Sequence, residues 1–344
     1  MPELWDVYDE HRNKKPYTHI RGVPLQPGDY HLVVEIWTFT PDGQVLLTLR
    51  HPDKAYGNRW ECTGGSAVMG EDSLTAARRE LCEETGLDMS NTIPTLLTTV
   101  TQHHNKTIYD IYAVRLDFTL DQVTLQQGET VDKRLVPFSF LEDPANDELL
   151  ASPIAGRLRT AALPFLHRFH ARAECWDMYS HDGQFLGYNR LRPVSKAEQQ
   201  HPWEMSLAAV ALIQDEQGRI LLGQRAPHKA AGLKWGCTGG GVSTGETPEL
   251  ALQREVWEEI GLDISTSTPI LLNKFLLDGD YGKWCMHVYL IRMPFTLKHL
   301  TLQPEEVVDA QLFAPEALYE HSLVAGILNR DSSILPALLT ETLL

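Results

Sequence analysis

Cysteine is scarce and poorly arranged for structural work. The chain holds five, Cys62, Cys82, Cys175, Cys237 and Cys285, an odd number with no CxxC pair. That argues against a disulfide framework or a cysteine zinc cluster and fits a reducing, cytoplasmic setting. Long apolar runs are missing as well. No stretch approaches the roughly 18 residues that span a bilayer, and the polar start MPELWDVYDEHRNKKP lacks the apolar core of a signal peptide. Positive charge is in deficit: 30 Lys and Arg against 46 Asp and Glu give −16. A surface of that sign argues against polymeric nucleic acid or an anionic membrane as partner. Small anionic substrates stay open, because a bound divalent metal reverses the local field. With 43% hydrophobic and 22% charged residues over 344 positions, the composition is globular and sufficient for two cores.

Against these absences stands one long internal repeat. RWECTGGSAVMGEDSLTAARRELCEETGL, from Arg59, aligns without a gap to KWGCTGGGVSTGETPELALQREVWEEIGL, from Lys234, an offset of 234 − 59 = 175. The preceding GQVLLTLRHPDKAYGNRW and GRILLGQRAPHKAAGLKW keep that offset. Glu3-Leu4-Trp5-Asp6-Val7-Tyr8 matches Glu174-Cys175-Trp176-Asp177-Met178-Tyr179, and Glu129 and Asp132 match Glu306 and Asp309. The period far exceeds the roughly 20–50 residues of solenoid repeats. A duplicated whole domain is expected, 1–172 and 173–344, with the joint near Arg172. Within each copy, residues 30–40 and 205–214 read as strands, followed by turns and the hairpin partners 45–50 and 220–225. A glycine-rich loop precedes a helix that Asp72 or Thr247 caps, Pro248 starts in the second copy, and Gly86 or Gly261 ends. Later strands are expected at 108–115 and 284–291, and an apolar helix at 149–171 and 316–339. Strands mixed with helices predict an α/β fold with a mixed sheet covered by helices.

Each copy holds the same spaced residues: Gly65, Glu71, Arg79, Glu80, Glu83, Glu84, Gly86, and Gly240, Glu246, Arg254, Glu255, Glu258, Glu259, Gly261. On a helix, positions i, i+3 and i+4 share a face. Three carboxylates therefore converge in each copy and repel one another, and a hard divalent cation relieves that repulsion. A lone E-x-x-E-E is more often a solvated acidic face, with Arg79 pairing Glu83 at i, i+4. Seven fixed identities arise by chance on the order of 10⁻⁹ per start at ordinary residue usage, and here they occur twice.

The pattern is identified as the Nudix box, so each half resembles a complete Nudix hydrolase domain. The resemblance implies two tandem α/β/α sandwiches, each with a loop–helix–loop box. It implies hydrolysis of a small-molecule diphosphate with Mg²⁺, or Mn²⁺ in its place. Carried over by position, the metal ligands are Glu80, Glu83, Glu84 and the Gly64 carbonyl, and Glu255, Glu258, Glu259 and the Gly239 carbonyl. Arg79 and Arg254 orient the glutamates. The general base is Glu80 or the loop residue Glu129 in the first copy, and Glu255 or Glu306 in the second. Arg50 and Arg225, at matched strand ends, are candidates to hold phosphate. Trp60, Trp235, Cys62 and Cys237 read as packing, and His103 and His104 as loop residues. Loops 101–107 and 277–283 differ between the copies and are expected to choose the substrate.

The segment ELWDVYDEHRNKKPYTHIRGVPLQPGDYHLVVEIW also resembles the N-terminal part of isopentenyl-diphosphate isomerases. Those enzymes carry a catalytic cysteine where this chain has Gly64-Gly65 and Gly239-Gly240. The segment makes isomerisation an alternative, with the missing cysteine counting against it; a sensor that binds without turnover is another. The short joint predicts a pseudo-dimer within one monomeric chain, with Trp5, Tyr8, Trp176 and Tyr179 either at the interface or packed on their own domains.

Overall fold

The computed structural model describes residues 2–195, 198, 201–229, 231–279, 282–329 and 334–339. The chain divides into two compact units, residues 1–175 with 187–192 and residues 176–186 with 193–344.

In the first unit the apolar strand His31–Phe39 is the hub. It runs parallel to Thr107–Arg115, from His31 opposite Thr107 to Phe39 opposite Arg115. It runs antiparallel to Thr63–Ser66, with Glu35 opposite Gly64. It turns through a tight hairpin into Val45–Arg50, which pairs with Thr130–Val136 and Trp60–Glu61. The second unit repeats the plan. Met205–Gln214 lies parallel to Gly282–Arg292 and antiparallel to Thr238–Gly241, with Val210 opposite Gly239. A parallel pair inside a hairpin-built sheet makes both sheets mixed, and parallel strands require cover on both faces. Alternation along the hub supplies two apolar faces. Trp37 and Phe39 enter a core with Leu141, Ile154, Leu158 and Leu166. In the second unit Ala209, Ala211 and Ile213 pack with Leu252, Val256 and Ile260 of a helix, while Val210 and Leu212 pack with Leu318, Val324 and Leu328 on the other side. Each unit is thus a mixed α/β layer structure.

The helix that follows the glycine loop runs Ser73–Thr85 in the first unit and Pro248–Ile260 in the second. The caps are those the sequence predicts. Asp72 accepts from the Thr75 amide, Thr247 from the Leu250 amide, and Gly86 and Gly261 close the helices at φ 71° and 65°. That left-handed conformation is cheap only for glycine. The apolar stretch 149–171 differs from a single helix. It breaks into Ser152–Arg157, a π turn Leu158–Ala162 and Leu163–His170. Pro164 has no amide to give the carbonyl four residues back, so the ladder widens before it. Its counterpart is a 3₁₀ turn Pro315–Glu320, then Ser322–Leu328 and Ile334–Leu339, with 330–333 and 340–344 outside the described residues.

The segment before each sheet forms a hairpin in the first unit, Leu4–Tyr8 with Lys14–Ile20. Trp5 stacks on His31 at 4.1 Å and Tyr8 bridges to Tyr30, both within that unit. In the second unit Trp176 meets Trp284 edge to face at 4.6 Å. Residues 187–192 belong to the first unit, where Asn189 pairs with Thr95 and accepts its hydroxyl at 2.7 Å.

Candidate active site

Two neighbouring elements build the site in each unit: the short glycine strand that pairs with the hub strand and the capped helix that follows it. A side chain on the glycine would displace the first glutamate of each triad where they meet. A Cβ on Gly65 would lie 2.2 Å from Glu80 Oε1, and one on Gly240 would lie 2.4 Å from Glu255 Oε1. The strand backbone is therefore the floor against which the first glutamate of each triad rests.

One arginine orders the carboxylates. Arg79 Nε and Nη2 donate to the two oxygens of Glu71 at 2.7 and 3.0 Å. Its Nη1 reaches Glu80 at 2.9 Å and Glu83 at 3.0 Å, and Nη2 also donates to the Ser66 carbonyl. Arg254 repeats this with Glu246, Glu255, Glu258 and the Gly241 carbonyl. The i, i+4 pair to Glu83 is present, but it is one arm of a five-bonded clamp. Glu71 and Glu246 are thus supports, tied further by the Val68 and Ser243 amides at 3.0 Å.

The triads are graded in exposure. Glu83 and Glu258 reach solvent, Glu80 and Glu255 are half-buried, and Glu84 and Glu259 are buried at 7% and 9% exposure. Burial, reinforced by Glu61 and then Glu80, pushes the Glu84 carboxyl up to about 8. Burial, reinforced by Glu255 and then Glu306, pushes Glu259 up to about 8. Among the described residues no three acidic, imidazole or thiol groups already enclose a point as a metal cage. The donor chemistry nevertheless fits a hard divalent ion. The donors are oxygens, Gly64 faces Glu84 through a long 3.4 Å amide bond, and neighbouring carboxylates raise the proton affinity of the buried Glu84 and Glu259. Mg²⁺ is held by one or two carboxylates with water and phosphate completing its shell, so it needs no closed protein cage.

The loop candidates are drawn to the box by backbone bonds. Thr124 and Gln126 amides donate to the Thr85 and Glu84 carbonyls, and Thr301 and Gln303 amides to the Ile260 and Glu259 carbonyls, at 2.7–3.4 Å. These bonds satisfy carbonyls that a helix end leaves unpaired. Glu129 then forms an ion pair with Lys54, and Glu306 with Lys229. Neither lysine was singled out from sequence, although both stand at the 175 offset in HPDKA and APHKA. Asp132 and Asp309 stay exposed and bond their own following amides.

Arg50 is committed within the protein. Its Nη1 donates to Glu61 at 2.5 Å and its Nε to the Ala55 carbonyl. Its counterpart Arg225 has Gly236 at the position of Glu61, and its charge acts on Glu259. Glu61 and the buried pair Glu35–Arg157, bonded at 2.7 Å, are charged residues that motif reading passes over, because neither belongs to the box. The signal was their mismatch in the repeat, Gly236 and Val210. Trp60 carries Arg134 over its ring at 4.0 Å and Trp235 packs on Phe313. Burial pushes the Cys62 thiol well up and Cys237 to about 12, which leaves both inert. His103 bonds the Tyr30 hydroxyl at 2.7 Å. Loop 101–107 borders an open pocket of about 410 Å³ lined by Trp5, Val23, His31, Asn105 and Lys106. Of loop 277–283, Asp280 and Tyr281 lie outside the described residues.

The NUDIX domain family matches twice, over residues 29–153 and 205–337. An uncharacterized Nudix hydrolase of Listeria innocua is 39% identical over 144 residues, 41% of this chain and 83% of that protein. Nudix hydrolase 3 of Arabidopsis thaliana is 31% identical over 162 residues, 42% of this chain and 21% of that one. An oxidized purine nucleoside triphosphate hydrolase of Danio rerio is 40% identical over 74 residues, 22% of this chain and 47% of that one. A solved structure from Deinococcus radiodurans superposes with a TM-score of 0.39 at 21% identity, covering 46% of this chain and 98% of its own.

Proposed function

This chain belongs to the NUDIX domain family, and from that premise we propose that it is a Mg²⁺-dependent diphosphohydrolase with one catalytic site in each half. Membership supports a hydrolase that cleaves a diphosphate linkage. The observation that carries the finer reading is the repetition, in both units, of a glycine floor, a clamped arginine and a graded glutamate triad. Glu80, Glu83, Glu84 and the Gly64 carbonyl would hold the metal in the first unit. Glu255, Glu258, Glu259 and the Gly239 carbonyl would hold it in the second. A bound divalent ion neutralises the diphosphate and acidifies water.

The chain's own residues do the rest. Arg79 and Arg254 fix the directions of the carboxylates through the bonds to Glu71 and Glu246. One carboxylate, Glu80 or Glu129 in the first unit and Glu255 or Glu306 in the second, takes the proton of the water that attacks phosphorus in line. Glu129 and Glu306 are held ready by Lys54 and Lys229. The substrate is a small diphosphate: a nucleoside triphosphate, oxidised ones included, a dinucleotide, an ADP-sugar, or a prenyl or thiamine diphosphate. Against the isomerase alternative stand the glycines at the position of its cysteine, and both boxes keep every carboxylate, which disfavours a sensor. The reading includes a monomeric, cytoplasmic enzyme.

The test is a panel of those diphosphates with Mg²⁺, reading release of phosphate or monophosphate products. Glu83→Gln should silence one set of turnovers and Glu258→Gln the other. Full activity in excess chelator, or loss of all turnover from either single change, would sink the two-site metal mechanism.

A further inference from the structure

The two sites share the charged residues of the box and its supports, which makes a buried exception beside them informative. Both have three box glutamates, an arginine clamp with its support, a strand-end arginine, a lysine and a loop glutamate. The Glu35–Arg157 pair is internally neutral, and Val210 stands in the place of Glu35. Glu61 is different. It lies on the short strand Trp60–Glu61, three residues before Gly64, with only 7% exposure. It pairs with Arg50. In the second unit Gly236 stands there, and a Cβ on it would meet Leu323 Cδ1 at 3.2 Å. An apolar side chain thus borders the space that a carboxylate occupies in the first unit. The consequence reaches the box. The short strand that carries Glu61 leads directly into Thr63–Ser66, whose Gly64 amide bonds the buried Glu84 at 3.4 Å. Glu61 and Glu80 both disfavour charge on that carboxyl, whereas Glu255 and Glu306 do so on Glu259.

We infer that Glu61 sets the selectivity of the first site: its extra negative charge tightens the divalent cation there and disfavours polyanionic substrates. The first site then takes diphosphate diesters, which carry about two negative charges, and the second takes triphosphates, which carry about four. This rests on the hydrolase reading above and adds a division of substrates to it. The physical reason is Coulombic: one unit charge a few ångströms away in a partly buried site changes ionic affinity by about tenfold or more.

The experiment uses the full chain carrying Glu258→Gln, so that turnover reports the first site and each Glu61 variant is compared against the same second site. Mn²⁺ alone is titrated by calorimetry, and ATP and ADP-ribose, which share adenosine but differ in phosphate charge, are compared by kcat/KM. Adding Glu61→Gln should weaken the Mn²⁺ site about tenfold. It should raise the ATP to ADP-ribose ratio by a similar factor, mainly through KM. Glu61→Asp keeps the charge and should restore both values, an effect that a merely structural role would not show. The proposal is overturned if Glu61→Gln leaves the Mn²⁺ affinity or the substrate ratio unchanged. It is equally overturned if Glu61→Asp behaves like Glu61→Gln. Where neither nucleotide is turned over, the metal titration decides alone. A parent chain that binds no Mn²⁺ at all overturns the hydrolase reading instead.

Discussion

Arg79 and Arg254 hold more of each site's order than any single glutamate, because each bonds three carboxylates and one carbonyl at once. Arg79→Lys keeps the charge but loses the planar fork that grips Glu71 through two parallel bonds. First-site activity should fall by about 10–100-fold, the size expected when a support that orients metal ligands is removed. Steady-state kinetics in a Glu258→Gln chain measure it, and near-parental kcat would show that charge alone suffices. Glu84 and Glu259 set a second expectation. Each carboxyl, raised to about 8 by burial and neighbouring carboxylates, binds its proton more tightly in the folded chain than in the unfolded one. The stability this lends is full below the unfolded value, near 4–5, and is lost as pH rises through about 8. Metal-free protein should therefore melt progressively lower between about pH 5 and pH 8, and saturating Mg²⁺ should cancel that slope. A slope that Mg²⁺ leaves unchanged would mean that these carboxylates are not where metal binds.

The two box helices are each 13 residues long, near the length at which an isolated helix is marginal in water. Their ends therefore matter. Each start is capped by one side chain, Asp72 or Thr247, and each end by a glycine whose positive φ an alanine would resist. Replacing Asp72 or Thr247 by Ala should cost about 1 kcal/mol, read as a lower urea midpoint with unchanged slope. Glu71 and Glu246 lie one residue before these caps and bond the arginine from outside the helix. The cap thus positions the clamp as well as the helix. The chain after each helix serves the same end, since the loops carrying Glu129 and Glu306 are stitched to the helix's last carbonyls.

At the scale of the whole chain, the first unit is not continuous in sequence. Residues 187–192 return to it, where Leu191 joins the core at 5% exposure and Asn189 pairs with Thr95. A fragment ending at residue 172 lacks this strand and leaves one sheet edge and one patch of core uncovered. Burial of a leucine contributes about 2 kcal/mol, so the 1–172 fragment should melt about 5 °C or more below a 1–192 fragment. Equal melting temperatures in a calorimeter would show that the returning strand is dispensable. The same return bears on any attempt to assay the halves separately: a cut at the joint that the repeat suggests removes a piece of the first unit along with the second.

The repeat, the box and its caps were all written in the order of residues. Helix limits at Asp72 and Gly86 or Thr247 and Gly261, the hairpin 45–50, and the convergence of Glu80, Glu83 and Glu84 follow from local rules: which backbone angles glycine tolerates, and which side chains share a helical face. What tertiary structure decided are the contacts between residues distant in sequence. Lys54 against Glu129, Arg157 against Glu35, and the return of Asn189 to Thr95 join positions about 75, 122 and 94 apart, and no periodicity encodes such pairs. The arginine's choice of Glu71 as principal partner, rather than only the helical neighbour Glu83, belongs here too, because it depends on how the glycine loop folds back over the helix. Arg50 shows the same limit most clearly. Its position at a strand end was legible, but a buried carboxylate on the adjoining strand, present in one unit and absent from the other, determines what its charge is free to do.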